Sequence, residues 1–261
     1  MIYLLIFIIC FGASIIGAVC GIGGGVIIKP ALDAFGIMSV SAISFLSGCT
    51  VLSMTSYNVL RSKLSGKTSF NPATGLPLSL GAALGGIIGK QIFQIIKAAS
   101  ADPDRVGAIQ AACLLAVTLG TLIYTINKSK IKTLSVRNTA ACVLIGFFLG
   151  FMSSFLGIGG GPINLVVLFY FFSMDTKSAA ENSLYIIFFS QLASLIFSLV
   201  THTVPEFAVG ILVLMVIGGI TGGMAGRQLN KKLTSEQVDK LFITLMIVLI
   251  MINIYNVIKF T

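Results

Sequence analysis

The 261-residue chain has no tryptophan, one histidine and only eight acidic residues, and charged residues of both signs make up 10% of it. An average soluble domain carries about 25% charged residues, so this chain cannot wet the surface of a soluble fold. Hydrophobic residues at 56% exclude disorder as well. The five cysteines, Cys10, Cys20, Cys49, Cys113 and Cys142, stand singly in apolar segments without C-x-x-C spacing. They read as small buried hydrophobes, which excludes a zinc site and a disulfide framework. The single histidine, His202, and scattered carboxylates supply neither a transition-metal site nor an acid–base pair. H-E-x-x-H, G-x-S-x-G and paired acids within apolar runs are all missing, so no metal, no cofactor and no enzymatic activity are expected.

What is present is apolar length. Runs lie near 2–20, 22–35, 39–60, 71–97 and 105–127, then near 138–155, 158–172, 177–200, 205–226 and 236–260. At about 25–30 residues per span and loop, the chain has room for about eight to ten crossings. The expected class is an all-α polytopic membrane protein. No basic segment precedes the first run, so residues 1–20 are expected to be a retained helix and not a cleaved signal. The net charge of +9 sits in short tracts between apolar runs, as in cytoplasmic loops, which argues against a nucleic-acid partner.

The chain is internally duplicated. Gly21-Ile22-Gly23-Gly24-Gly25 returns as Gly157-Ile158-Gly159-Gly160-Gly161, an offset of 136. Gly81, Gly85, Gly86, Gly89 and Lys90 return as Gly218, Gly222, Gly223, Gly226 and Arg227, an offset of 137. Asp104-Arg105-Val106 has its counterpart in Asp239-Lys240-Leu241. Two transmembrane repeats, 1–130 and 131–261, are expected to form one transport domain of about five helical segments each.

Basic residues orient the repeats. An odd number of passes per repeat makes 61–70, 128–137, 173–177 and 227–240 cytoplasmic. Those loops then hold Arg61, Lys63, Lys67, Lys128, Lys130, Lys132, Arg137, Lys177, Arg227, Lys231, Lys232 and Lys240, leaving Lys90, Lys97, Arg105 and Lys259 outside. A four-pass repeat divides the same residues evenly and makes single spans of 2–35 and 138–172, too long for one crossing. The odd count therefore predicts inverted-topology repeats, an arrangement shared by many secondary transporters.

The two G-I-G-G-G elements are the most informative features. Four glycines in five residues break a helix, and each break precedes an apolar run short for a comfortable crossing. Irregular backbone at membrane depth survives only when buried in protein or facing water. Freed N–H groups and the positive end of the next half-helix suit an anion. Matching breaks in inverted repeats bring two such ends towards one point; the competing reading is close helix packing through small residues. Lys29, in Val26-Ile27-Ile28-Lys29-Pro30, is positioned to meet the anion about one turn further on, with snorkelling or a pair with Asp33 as the alternatives. Asn164, Asn182 and Ser183 are candidate polar ligands, against the alternative of interhelical glue. Glu181 is a candidate carrier of a coupling proton, or a first-turn helix acid facing water.

The doubled G-I-G-G-G, Pro30 and Pro162 after the breaks, Ser41-Ala42 and Ser178-Ala179 at helix starts, and the glycine-rich stretches 81–90 and 218–227 resemble the TauE/SafE sulfite exporter family over essentially the whole chain. The resemblance implies a membrane transporter of small anions such as sulfite, sulfonates or small organic acids. The expectation is thus a secondary transporter, exporting by alternating access with the anion held at the two breaks. An anion channel and a proton-coupled importer stand as alternatives. The expected partners are the anion and the lipid bilayer of a bacterial inner or plasma membrane, with a homodimer left open.

Overall fold

A computed structural model describes residues 2–66, 69–100 and 103–260. Lys67, and the side chain of Arg105, both used in the loop count, lie outside the described residues. The described chain is helical, with no strand: α1 Ile2–Cys20, α2 Gly25–Phe35, α3 Val40–Leu64, α4 Pro72–Ala99, α5 Pro103–Asn127, α6 Thr139–Phe155, α7 Pro162–Phe172, α8 Thr176–Val200, α9 Val209–Lys232 and α10 Ser235–Phe260. Seven helices, α1, α3, α4, α5, α8, α9 and α10, are long and apolar enough to cross a membrane. With 11 residues each, α2 and α7 reach about 16 Å, half the hydrocarbon thickness.

Local chemistry sets the helix starts. Ser39, Asn71, Asn138 and Asp175 cap α3, α4, α6 and α8 with side-chain oxygens that accept backbone N–H bonds. Pro72 and Pro162 occupy first-turn positions, where a missing N–H costs nothing. Gly36, at φ 63°, closes α2 by donating to the carbonyls of Leu32 and Asp33. One expected boundary moves: α9 continues through Lys232 and α10 begins at Ser235, so Arg227 and Lys231 lie on a helix and not in a 227–240 loop. The continuous apolar run ends at Gly226, but Arg227, Gln228 and Lys231 are good helix formers that carry α9 on as a largely polar extension.

Glycine ridges hold the helices together. Gly81, Gly85 and Gly89 of α4 lie against the backbone of Val143, Phe147 and Phe151 in α6, while Gly146 and Gly150 of α6 lie against Leu78 and Ala82. Gly222 and Gly226 of α9 lie against Phe11 and Ile15 of α1 in the same manner. Lipid supplies no hydrophobic drive between helices, so close backbone approach and dispersion carry this packing. The neighbours repeat between halves: α4 packs on α6 and α8, and α9 on α1 and α3; α2 packs on α3 and α10, and α7 on α8 and α5. The two members α3 and α8 pack on each other at the centre.

Candidate functional site

The chain from α1 to α2 turns through Gly21 and Gly23, at φ 73° and 75°, and the chain from α6 to α7 through Gly157 and Gly159, both at φ 66°. These left-handed values suit glycine and no other residue in a buried turn. The two breaks, far apart in sequence, meet. A Cβ on Gly25 would strike the Ile158 carbonyl, and one on Gly160 would lie 2.8 Å from the Ile22 oxygen. Ile22 and Ile158 are themselves buried in the apolar core, so they offer backbone alone to the meeting point.

Among the described residues, the N–H groups of Gly23, Gly24, Gly25, Gly159, Gly160 and Gly161 find no acceptor. All six glycines are buried. Unpaired N–H groups buried in a protein are costly, and here they cluster at the starts of α2 and α7. Hydroxyls ring them: Ser47 Oγ lies beside Gly25 and Ser44 Oγ beside Gly157, and both are buried without a hydrogen-bond partner. The Asn164 amide donates to Ser183 Oγ at 3.2 Å, and its own carbonyl oxygen has no partner. Val51 of α3 and Ile187 of α8 close over the breaks, with Val51 Cγ1 and Ile187 Cδ1 the side-chain atoms nearest to Gly23. Those two residues are themselves 136 apart.

Three expected residues fall elsewhere. The Lys29 ammonium is bonded to Asp33 Oδ2 at 2.5 Å, both side chains about 5% exposed, so of the alternatives for Lys29 the structure takes the Asp33 pair. The reason is helical spacing: residues four apart share a face, and α2 presents both to α10. The Asn182 amide donates to the carbonyls of Ser178 and Ser69, away from Asn164 and Ser183. One residue along α8 turns a side chain by about 100°, which separates Asn182 from its neighbour Ser183. Glu181 accepts from Ser62 Oγ and from the Ser69 N–H.

A second basic residue lies within the helical interior. Lys90, counted as external, is buried in α4 at 7% exposure. At 28 residues α4 is longer than one crossing requires, so its hydropathy run conceals which residue is deep. The usable signal was the repeat itself, which pairs Lys90 with Arg227.

Two cavities flank the breaks. One, of about 470 Å3, is lined by Ala18, Asn58, Ala180, Glu181, Leu184 and Arg227, with Lys177 and Lys231 towards its mouth. Arg227 donates to the Asn58 carbonyl at 3.1 Å, and its Nε has no partner. The other, about 20 Å3, is lined by Ser44, Phe45, Gly48, Lys90, Ser154 and Ser194, and reaches Gly157. Outside the helices, Asp175 lines a surface hollow beside α8. Burial would raise its carboxyl, but bonds from the Ser178 hydroxyl and from the Ser178 and Lys177 N–H groups outweigh that and hold it below its ordinary value.

The family model described as sulfite exporter TauE/SafE matches residues 6–252. No curated protein and no solved structure matches the chain.

Proposed function

Because the chain belongs to the TauE/SafE sulfite exporter family, a family of membrane transporters, we propose that it moves a small oxyanion, such as sulfite or a short sulfonate, by alternating access. The observation that supports this most is the meeting of the two glycine breaks. Six buried N–H groups without acceptors and the free hydroxyls of Ser44 and Ser47 surround one point. Such groups demand acceptors, and an oxyanion supplies several at once. In this reading Gly23–Gly25 and Gly159–Gly161 bind through their backbone, and Asn164 and Ser183 complete the polar wall. Lys29 and Asn182 bind no substrate.

The repeats are read as inverted, which places the 470 Å3 cavity on the side of the basic loops, the cytoplasm. That cavity takes a small organic anion, whereas the 20 Å3 one opposite holds about one water. A path wide at one end and shut at the other favours alternation over a channel. An inside-negative potential drives an anion outward by about 2.3 kcal/mol per charge per 100 mV, which favours export from a bacterial inner or plasma membrane. The specific support for the second reading, proton-coupled import, is Glu181 in the wall of the open cavity.

The test is flux. Purified protein in liposomes is screened with sulfite, sulfoacetate, thiosulfate and short carboxylates, alongside a Gly160→Ala variant that retains its folded state. Saturable flux of one oxyanion, lost in the variant, is expected. Equal flux in the variant removes the breaks from the path.

A further inference from the structure

We propose that the small closed cavity is the second mouth of the transport path, and that Lys90 is the cation that receives the anion there. The inference rests on the transporter reading above and adds a binding residue to it.

Four observations carry it. First, Lys90 has no carboxylate partner among the described residues, although it is nine-tenths buried in a helix long and apolar enough to span. Its ammonium faces the rings of Phe45 and Phe93 at 5.9 and 5.8 Å. Ring faces attract a cation but do not neutralise it, and a buried ammonium in a spanning segment marks a site for a partner.

Second, the cavity at Lys90 carries unpaired hydroxyls. Ser44 Oγ and Ser154 Oγ have no partner. Ser154 Oγ and Ser190 Oγ both lie against Gly86, one turn before Lys90 on α4: a Cβ there would sit 3.3 and 3.0 Å from them. A cation with several unpaired hydroxyls is a donor set for an oxyanion.

Third, the two cavities are built from matching positions. Ala18, Asn58, Ala180, Glu181, Leu184 and Arg227 of the open one stand, at the repeat offsets of 136 and 137, where Ser154, Ser194, Ser44, Phe45, Gly48 and Lys90 stand in the closed one. The duplication therefore equips both sides of the breaks with a mouth, and pairs Arg227 of one with Lys90 of the other. Fourth, the closed mouth has a lid. Phe207, in the segment before α9, stacks on Phe45 of the cavity wall at 5.5 Å.

Native Cys49 lines this cavity and serves as its reporter. With Cys10, Cys20, Cys113 and Cys142 replaced by alanine, right-side-out vesicles are treated with two membrane-impermeant methanethiosulfonates, one carrying a sulfonate and one a quaternary ammonium. External reagent is expected to modify Cys49, the sulfonate faster than the ammonium. Lys90→Gln should lower that rate ratio about tenfold, as removal of one nearby charge would, and Lys90→Arg should keep it. Phe207→Ala should raise both rates. Modification only from the cytoplasmic side, no modification from either side, or a ratio indifferent to Lys90→Gln overturns the inference. Sulfite flux is scored separately on the same protein. Flux with Cys49 unreactive refutes this mouth and leaves the transporter standing; a charge-selective Cys49 without flux supports the mouth and removes sulfite as substrate.

Discussion

Lys29→Met tests whether the buried lysine of α2 is a ligand or a strut. The pair with Asp33 is 2.5 Å long and about 5% exposed. It is enclosed by Gln110 of α5 and Asn253 and Asn256 of α10 around a void of about 10 Å3. The same stretch is clamped from α10, where Asn256 donates to the Pro30 carbonyl at 2.9 Å and Lys259 to those of Asp33 and Ala34 at 2.9 and 3.1 Å. Asp33 Oδ1 already lacks a partner. Removing Lys29 leaves the carboxylate buried without its bonded partner, Lys259 reaching only the Asp33 carbonyl, which costs about 3–5 kcal/mol, whereas replacing both members with apolar residues of similar size is near neutral. At about 2–4 °C per kcal/mol for a chain of this size, Lys29→Met should melt roughly 10 °C below the parent in detergent. Lys29→Met/Asp33→Leu should recover most of that loss. The assay is thermal unfolding of the purified protein, with the sulfite-induced shift measured on every variant. Unchanged melting of Lys29→Met, with the sulfite-induced shift abolished, refutes the strut and makes Lys29 a ligand.

Gly160→Ala and Gly24→Ala should differ sharply. At Gly160 (φ 150°) a Cβ meets Ile187 Cδ1 at 2.5 Å and the Ile22 oxygen at 2.8 Å, so flux should vanish. At Gly24 the backbone is already right-handed (φ −68°) and the nearest atom is Ser14 Oγ at 3.1 Å, so flux in liposomes should persist with a stability loss of about 1 kcal/mol. Gly85→Ala drives a methyl into the Phe147 backbone between α4 and α6, and should lower the melting temperature while leaving the affinity for sulfite, read by titration of flux, unchanged. Asp175→Ala removes the α8 cap and should cost about 1 kcal/mol at neutral pH. Since the folded carboxyl sits below its ordinary value of 3.8, that stabilisation is complete above this pH and fades as pH falls through the folded value. A penalty that holds constant in unfolding curves through that range refutes the assignment.

Much of the helical architecture was legible because membranes permit few alternatives. Run length identified the long helices, and the glycine spacing of 81–89 and 218–226 marked the ridges that now press α4 on α6 and α9 on α1. The G-I-G-G-G elements marked both breaks to within a residue or two of where α2 and α7 begin. What stayed hidden was the direction in which polar side chains face. Lys29 and Lys90 look alike on a hydropathy scale, yet only the fold shows that one reaches Asp33 and the other reaches none. Asn182 and Ser183 are adjacent in sequence and diverge on the helix. Val51 and Ile187, which cover the breaks, are ordinary apolar residues whose significance lies in their shared offset.

Serines and threonines show why the distinction lies in the fold. In a spanning helix such a residue is by default glue or self-satisfied. Thr50, Ser53, Thr55 and Ser56 of α3 return their hydroxyls to carbonyls of their own helix at 2.6–2.8 Å, as Ser198 does in α8 at 2.9 Å. Ser47 and Ser44, about one and two turns before Thr50 on α3, do not, and neither do Ser154 and Ser190. The same helix thus carries satisfied hydroxyls along one part and bare ones where it passes the breaks and Lys90. A back-bond to the helix is available to every one of them, so staying unpaired forgoes about 0.5–1.5 kcal/mol each. That loss falls on one end of α3 and on turns of α6 and α8, and also on Ser14 of α1 and Ser79 of α4. Under the proposed function, a ligand with oxygen acceptors beside the breaks and Lys90 recovers it for Ser44, Ser47, Ser154 and Ser190.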